Sequence, residues 1–123
     1  MALPNNKLVI GTEKSGVLLY DLVDHSSVKL TYSNDNQGLA AKDVSSLMLD
    51  NNGDLWIGHT NDGISIYSLE QQVITHIKAD EFSDFALKSN MIRDIYIDHS
   101  GLYWIATGLG LSIYSPLKAA SRV

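Results

Sequence analysis

Several things are missing from this chain of 123 residues, and each absence removes a class of protein. It has no cysteine, which excludes a disulfide scaffold, a thiolate zinc site, an iron–sulfur cluster and a cysteine nucleophile together. It has no excess of basic residues: nine Lys and Arg stand against fourteen Asp and Glu, a net charge of −5. Nucleic-acid binders need a basic stripe, so that class is not expected. No apolar run approaches the ~20 residues of a membrane span. Met1-Ala2-Leu3-Pro4-Asn5-Asn6 shows neither the basic nor the apolar region of a secretory signal. Gly-x-Ser-x-Gly, a phosphate loop and His-Glu-x-x-His are all absent. The glycine-rich Thr107-Gly108-Leu109-Gly110 sits between strands rather than before a helix, so it reads as a turn. Helical spacing is also lacking, apart from a short turn over Asp80 to Leu87. Apolar residues nevertheless make up 45%, enough for a packed core.

What is present is repetition. Gly53-Asp54-Leu55-Trp56-Ile57-Gly58 returns as Gly101-Leu102-Tyr103-Trp104-Ile105-Ala106, 48 residues later. Gly63-Ile64-Ser65-Ile66-Tyr67-Ser68 returns as Gly110-Leu111-Ser112-Ile113-Tyr114-Ser115, 47 residues later. A third copy lies near the N-terminus, with Leu8-Val9-Ile10-Gly11 and Gly16-Val17-Leu18-Leu19-Tyr20 each 47 residues upstream of their counterparts. Periods of this length mark repeat architectures. The units fall at about 3–38, 39–86 and 87–123 of a single domain.

Each unit reads as strands. Val44 to Leu49, Leu55 to Ile57, Ile64 to Tyr67 and Val73 to Ile77 are apolar segments separated by polar turns such as Asp50-Asn51-Asn52-Gly53 and Asn61-Asp62-Gly63. Val28 to Tyr32 is the counterpart of the last strand. In the first unit the turn and strand before Leu8 look missing, leaving three strands. Ser115 to Val123 is the remaining source for a last strand in the third. Many strands are apolar on both faces. Ile64 and Ile66 point one way and Tyr67 the other; Leu47 and Leu49 oppose Met48, as Ile95 and Ile97 oppose Tyr96. A sheet with one wet face would alternate cleanly, whereas a sheet stacked between two others would not. The expected fold is all-β, a partial β-propeller of about two and a half to three four-stranded antiparallel blades.

The pattern Asp-x-x-Gly-x-Leu-Trp-Ile-Gly, a short loop, then Gly-Ile/Leu-x-x-Tyr resembles the two-component regulator propeller repeat. Leu87-Lys88-Ser89-Asn90-Met91-Ile92 is similar to the Leu-x-x-Asn-x-Val segment of that repeat. Val9 in place of Trp, His59 in place of Thr and Ala106 in place of Gly depart from it. The resemblance implies the extracytoplasmic sensor region of bacterial hybrid histidine kinases and related GGDEF-type regulators. It therefore implies a periplasmic or extracytoplasmic site of action, signal transduction, and a small-molecule or glycan ligand. Kinase, receiver and cyclase signatures are not found.

Trp56 and Trp104 invite stacking on a ligand, but a Trp at one strand position in each unit is what packing between blades demands. Tyr20, Tyr67 and Tyr114 recur likewise and are read as structural. So are Gly16, Gly63 and Gly110. Asp50 and Asp98 open Asp-x-x-Gly turns that lack the oxygen set of a calcium loop, so turn capping is expected. His25, His59, His76 and His99 are never two or four residues apart, so they form no local metal pair; no metal or cofactor is expected. His76 is placed on an outer strand, partly solvated. Arg93 and Asp94 open a strand and are read as a salt bridge or a solvated end. His59 and Asp62, at the loop after the Trp strand, are the candidate ligand contacts. No catalytic residue is recognised, and the chain is not read as an enzyme; a propeller-type enzyme fragment is the alternative. About 2.6 units fill 123 residues, fewer than the ~4–8 blades of a closed ring. Bare blade faces and edges then imply a piece of a longer sensor, an open stack capped by its termini, or copies that assemble into a ring; a homo-oligomer is expected, with a self-assembling subunit that binds a small molecule or carbohydrate as an alternative function.

Overall fold

A computed structural model of the chain describes residues 1–79 and 87–115. Among them the regular structure is entirely β. The first sheet holds β1 (Ala2–Leu3), β2 (Lys7–Gly11), β3 (Val17–Asp21) and β4 (Ser27–Leu30). The second holds β5 (Ser46–Leu49), β6 (Asp54–Gly58), β7 (Ile64–Ser68) and β8 (Ile74–Ile77). The third holds β9 (Ile92–Ile97), β10 (Tyr103–Thr107) and β11 (Gly110–Tyr114). Every sheet is an antiparallel meander in chain order. The helical turn expected over Asp80 to Leu87 and the last strand expected from Ser115 to Val123 fall on 80–86 and 116–123, outside the described residues.

One expectation is corrected. The first unit does not lack its leading strand: Leu3 pairs with Lys7 and Ala2 with Leu8. The turn was hard to recognise because its residues have changed. Asn6, at φ +60°, takes the place that Gly53 holds at φ +80°, and asparagine is among the few residues that tolerate this region.

Burial follows the stacking. The middle sheet is covered on both faces. Leu55, Ile57 and Tyr67 meet Val9, Val17 and Leu30 of the first sheet. On the other face, Trp56 and Ile64 meet Ile92, Ile95, Tyr103 and Ile105 of the third. Burying each such side chain contributes about 1.5–3 kcal/mol relative to leaving it exposed. Leu55 to Gly58 are therefore buried without interruption, while β10 alternates buried and half-buried residues. The outer face of the third sheet stays open: Tyr96 is 60% exposed, Leu111 53% and Ile113 54%. Ile10, on the outer face of the first sheet, is exposed as well.

The links between sheets repeat like the sheets themselves. Val44 N–H donates to Thr12 O (2.8 Å), and Ile92 N–H to His59 O (3.1 Å). Gly16 N–H donates to Lys42 O and Gly63 N–H to Asn90 O, each at 2.9 Å. Each link is thus tied to the loop that follows the second strand of the sheet before it. Gly63 shows why glycine is needed there: φ is +72°, and a Cβ would lie 2.3 Å from Ile77 O. Leu39 and Leu87 plug the two links into the two cores.

Candidate functional site

The loops between second and third strands share one end of the stack with the links between sheets. Both sequence-predicted ligand residues lie there, in different surroundings. His59 is 0% exposed. Its Nδ1–H donates to Asp43 O at 2.6 Å, and its Nε2 accepts from the Ser65 hydroxyl at 2.7 Å. Ser65 Oγ in turn accepts from Ala40 N–H at 3.0 Å. A neutral ring, protonated on Nδ1, completes this chain of bonds. Both ring nitrogens are used internally, so the imidazole has none to offer a ligand.

Ser65 was not singled out in the sequence, though the signal was there. Ser112 lies 47 residues on and accepts from Lys88 N–H at 2.9 Å. Each serine pins a link to its sheet. A hydroxyl on an imidazole nitrogen is also the geometry of an activated nucleophile. Here Ser65 and His59 are both fully buried, and the third partner is a backbone carbonyl, so the pair serves as a clamp.

Burial pushes the His59 imidazole below its ordinary value of 6.5, against the pull of the Asp43 hydrogen bond and the Asp43 and Asp62 charges; His76 adds to the lowering. The unfolded chain therefore binds a proton that the folded ring resists, and stability falls as pH drops below about 6.5. Urea midpoints of wild type and His59→Gln, measured at about pH 7.5 and about pH 5, check this. Wild type is expected to lose more on acidification than the variant. Equal losses would show that His59 does not carry the effect.

Asp62 is half-buried and lines a shallow cleft of about 350 Å³ with Tyr32, Lys42 and Asp43. Burial raises the Asp43 carboxyl, but hydrogen bonds from Thr60 outweigh this and hold it below the usual range. Thr60 N–H donates to Asp43 Oδ2 at 2.6 Å. Tyr32 is exposed. The cleft thus offers two carboxylates, one ammonium and an open aromatic ring. Among the described residues no cluster of His and carboxylates could hold a metal ion. Arg93 and Asp94 are exposed at the start of β9, and His76 is half-buried, donating from Nε2 to Gly38 O at 2.8 Å. His25 meets the Tyr20 hydroxyl at 2.9 Å on the surface.

At the opposite end, the Asp-x-x-Gly turns show what the repeat motif builds. Asp50 Oδ1 accepts from the N–H groups of Asn52 and Asp54, and Oδ2 from Trp56 Nε1–H at 3.0 Å. Asp98 Oδ1 accepts from Ser100 and Leu102, and Oδ2 from Trp104 Nε1–H at 2.7 Å. Hydrogen bonds from Ser100 and the Trp104 indole hold the Asp98 carboxyl at about 2. The carboxylate six residues before each tryptophan caps the turn and orients the ring. In the first unit, Leu3 stands six residues before Val9. Carboxylate and indole have been replaced together by an apolar pair, both buried.

Residues 38–61 and 86–108 each match the family described as two component regulator propeller. Those two stretches are similar to two-component regulator propeller repeats. Both matched stretches contain a link and the Asp–Trp hairpin; the first unit, without that pair, is not matched. Solved structures with these repeats' fold include the extracellular domain of a protein described as a hybrid two component system from B. thetaiotaomicron, 27% identical over 88% of this chain and 14% of that one, TM-score 0.70. A second such extracellular domain from B. thetaiotaomicron is 26% identical over 95% of this chain and 17% of that one, TM-score 0.66. PorZ, a surface component of the type-IX secretion system of Porphyromonas gingivalis, shares the fold at 18% identity, over 94% of this chain and 19% of that one, TM-score 0.69. The repeats here span between about a seventh and a fifth of the length of those structures. No curated protein matches the chain in sequence.

Proposed function

We propose that this chain is a ligand-sensing propeller unit for signal transduction across a membrane, acting on the extracytoplasmic side. The observation that carries this reading is the joint match to the repeat family and to two extracellular domains of proteins described as hybrid two-component systems. The loop-end cleft is the proposed contact surface, and a neutral oligosaccharide its proposed ligand. An exposed Tyr32 ring offers a stacking face, and the carboxylates of Asp43 and Asp62 accept hydrogen bonds from sugar hydroxyls. Thermal-shift and calorimetric titration with a panel of neutral oligosaccharides tests the reading. At least one is expected to bind, with affinity falling about tenfold in Asp62→Ala or Tyr32→Ala. Absence of any binding, or binding untouched by both variants, would overturn it.

We also propose that the two outer sheet faces associate with those of a second copy. Leu111 and Ile113 lie 47 residues after Ile64 and Ile66, which pack onto the next sheet. Leu8, Ile10 and Tyr20 lie 47 residues before Leu55, Ile57 and Tyr67, which pack onto the previous one. One outer face continues the pattern that the other receives.

A further inference from the structure

The two seams between sheets are not alike. Between the second and third sheets, Trp56 stacks on Tyr103 (ring centroids 4.7 Å) and Tyr114 (5.8 Å), with Asp50 holding the indole N–H. The corresponding positions between the first and second sheets are Val9, Leu55, Tyr67 and Leu3, each 47 or 48 residues upstream. This seam has thus lost the indole, one phenol ring and the carboxylate. The volume is not recovered by closer packing. A cleft of about 430 Å³ opens at the turn end of this seam, walled by Leu3, Leu19, Val28, Leu49, Leu69 and Tyr67; of the four positions Leu3 and Tyr67 line it, while Val9 and Leu55 are sealed in the core. That size lies in the range of small-molecule sites.

A second observation points to an occupant. Tyr67 is only 5% exposed, and its hydroxyl has no hydrogen-bond partner among the described residues. Among those residues, Ser46 Oγ alone is a buried side-chain polar atom both sealed from solvent and unpaired. The Tyr67 hydroxyl therefore remains reachable, in a residue that lines the cleft. A buried phenol ordinarily finds a partner. Lys7, Asp21 and Glu70 also border the cleft, two carboxylates against one ammonium, which disfavours an anion.

We infer that this seam is a binding site, separate from the loop-end cleft, for a planar aromatic molecule that is neutral or cationic. Its ring lies between Leu3 and Tyr67, the counterparts of Asp50 and Tyr114 in the neighbouring seam, and a polar group on it pairs with the Tyr67 hydroxyl. The inference does not depend on the oligosaccharide reading, because the two sites lie at opposite ends of the strands and take different chemistry.

Tryptamine and indole-3-acetate serve as probes, titrated by calorimetry against the full chain. Tryptamine is expected to saturate at one site, and indole-3-acetate to bind at least about tenfold more weakly. Leu3→Trp, at a residue that lines the cleft, should fill it from within and weaken tryptamine about tenfold or more. Tyr67→Phe, which keeps the ring and removes the hydroxyl, should weaken it several-fold, the worth of about one hydrogen bond. No saturable tryptamine binding would overturn the inference. So would a folded Leu3→Trp protein, or a Tyr67→Phe protein, that binds tryptamine as tightly as wild type.

Discussion

Replacing Asp50 with alanine is expected to destabilise the fold by about 2–6 kcal/mol, because each buried donor left unpaired costs about 1–3 kcal/mol. Two such donors would be stranded. Trp56 Nε1–H bonds to Asp50 Oδ2 at 3.0 Å and the Tyr103 hydroxyl to the same oxygen at 3.1 Å, both within a buried aromatic cluster. Burial and the Asp50 charge raise the Tyr103 phenol well above its ordinary value, so it stays a neutral donor throughout the working pH range. The turn cap on Asn52 and Asp54 is lost as well. Asparagine is a milder test. Its carbonyl can keep the turn bonds, and the Tyr103 hydroxyl can rotate to accept from the amide, but the indole can only donate and stays unpaired. Asp98→Ala should cost less: Asp98 and Trp104 are both only half-buried, and water can replace the carboxylate. Trp56→Ala is expected to cost about 3–5 kcal/mol, and the double variant less than the sum, since the carboxylate and indole serve each other. Urea denaturation of these variants checks the ranking. An Asp50→Ala protein within about 1 kcal/mol of wild type would show that the carboxylate does not organise the seam.

The chain is expected to sediment as a pair at about 10 μM, with twice the 13.5 kDa mass of one copy. The described residues form three stacked sheets, and two copies of three make six, within the ~4–8 blades that close a ring. In the arrangement proposed, the Trp104 face of each copy lies on the Leu8, Ile10 and Tyr20 face of the other, and association stops after two copies because the rotation closes. Leu111→Asp combined with Ile113→Asp places two charges in each contact at positions more than half exposed in the single chain. The variant should fold as well as wild type and sediment as one copy. A single-copy mass for wild type, or a paired mass for the variant, would refute the proposed contact.

Much of the architecture was legible in the residues. Strand spacing, polar turns and three copies in register specify antiparallel meanders, because side-chain alternation and turn chemistry depend on near neighbours in the chain. Apolar residues on both faces of a strand imply sheets stacked on sheets. The Asp-to-Trp step of six residues recurs visibly, although the bond between the two side chains had to be seen. The candidate site was less legible. His59 and Asp62 are three residues apart in one loop, yet the first is sealed in a clamp with Ser65 and Asp43 while the second borders open solvent. Nothing local separates them, since the clamp is closed by a link about sixteen residues upstream. Trp56 and Trp104 occupy the same place in the repeat, but one is buried and the other half-exposed, because only one has a further sheet upon it. The seam cleft is lined by Leu3 and Tyr67, residues that each look like ordinary core in the sequence. Sequence alone determined the repeat, the strands and which faces are apolar, since those follow from periodicity within a unit. The tertiary structure decided which faces are covered and where space is left, since burial depends on what the next unit brings against a face.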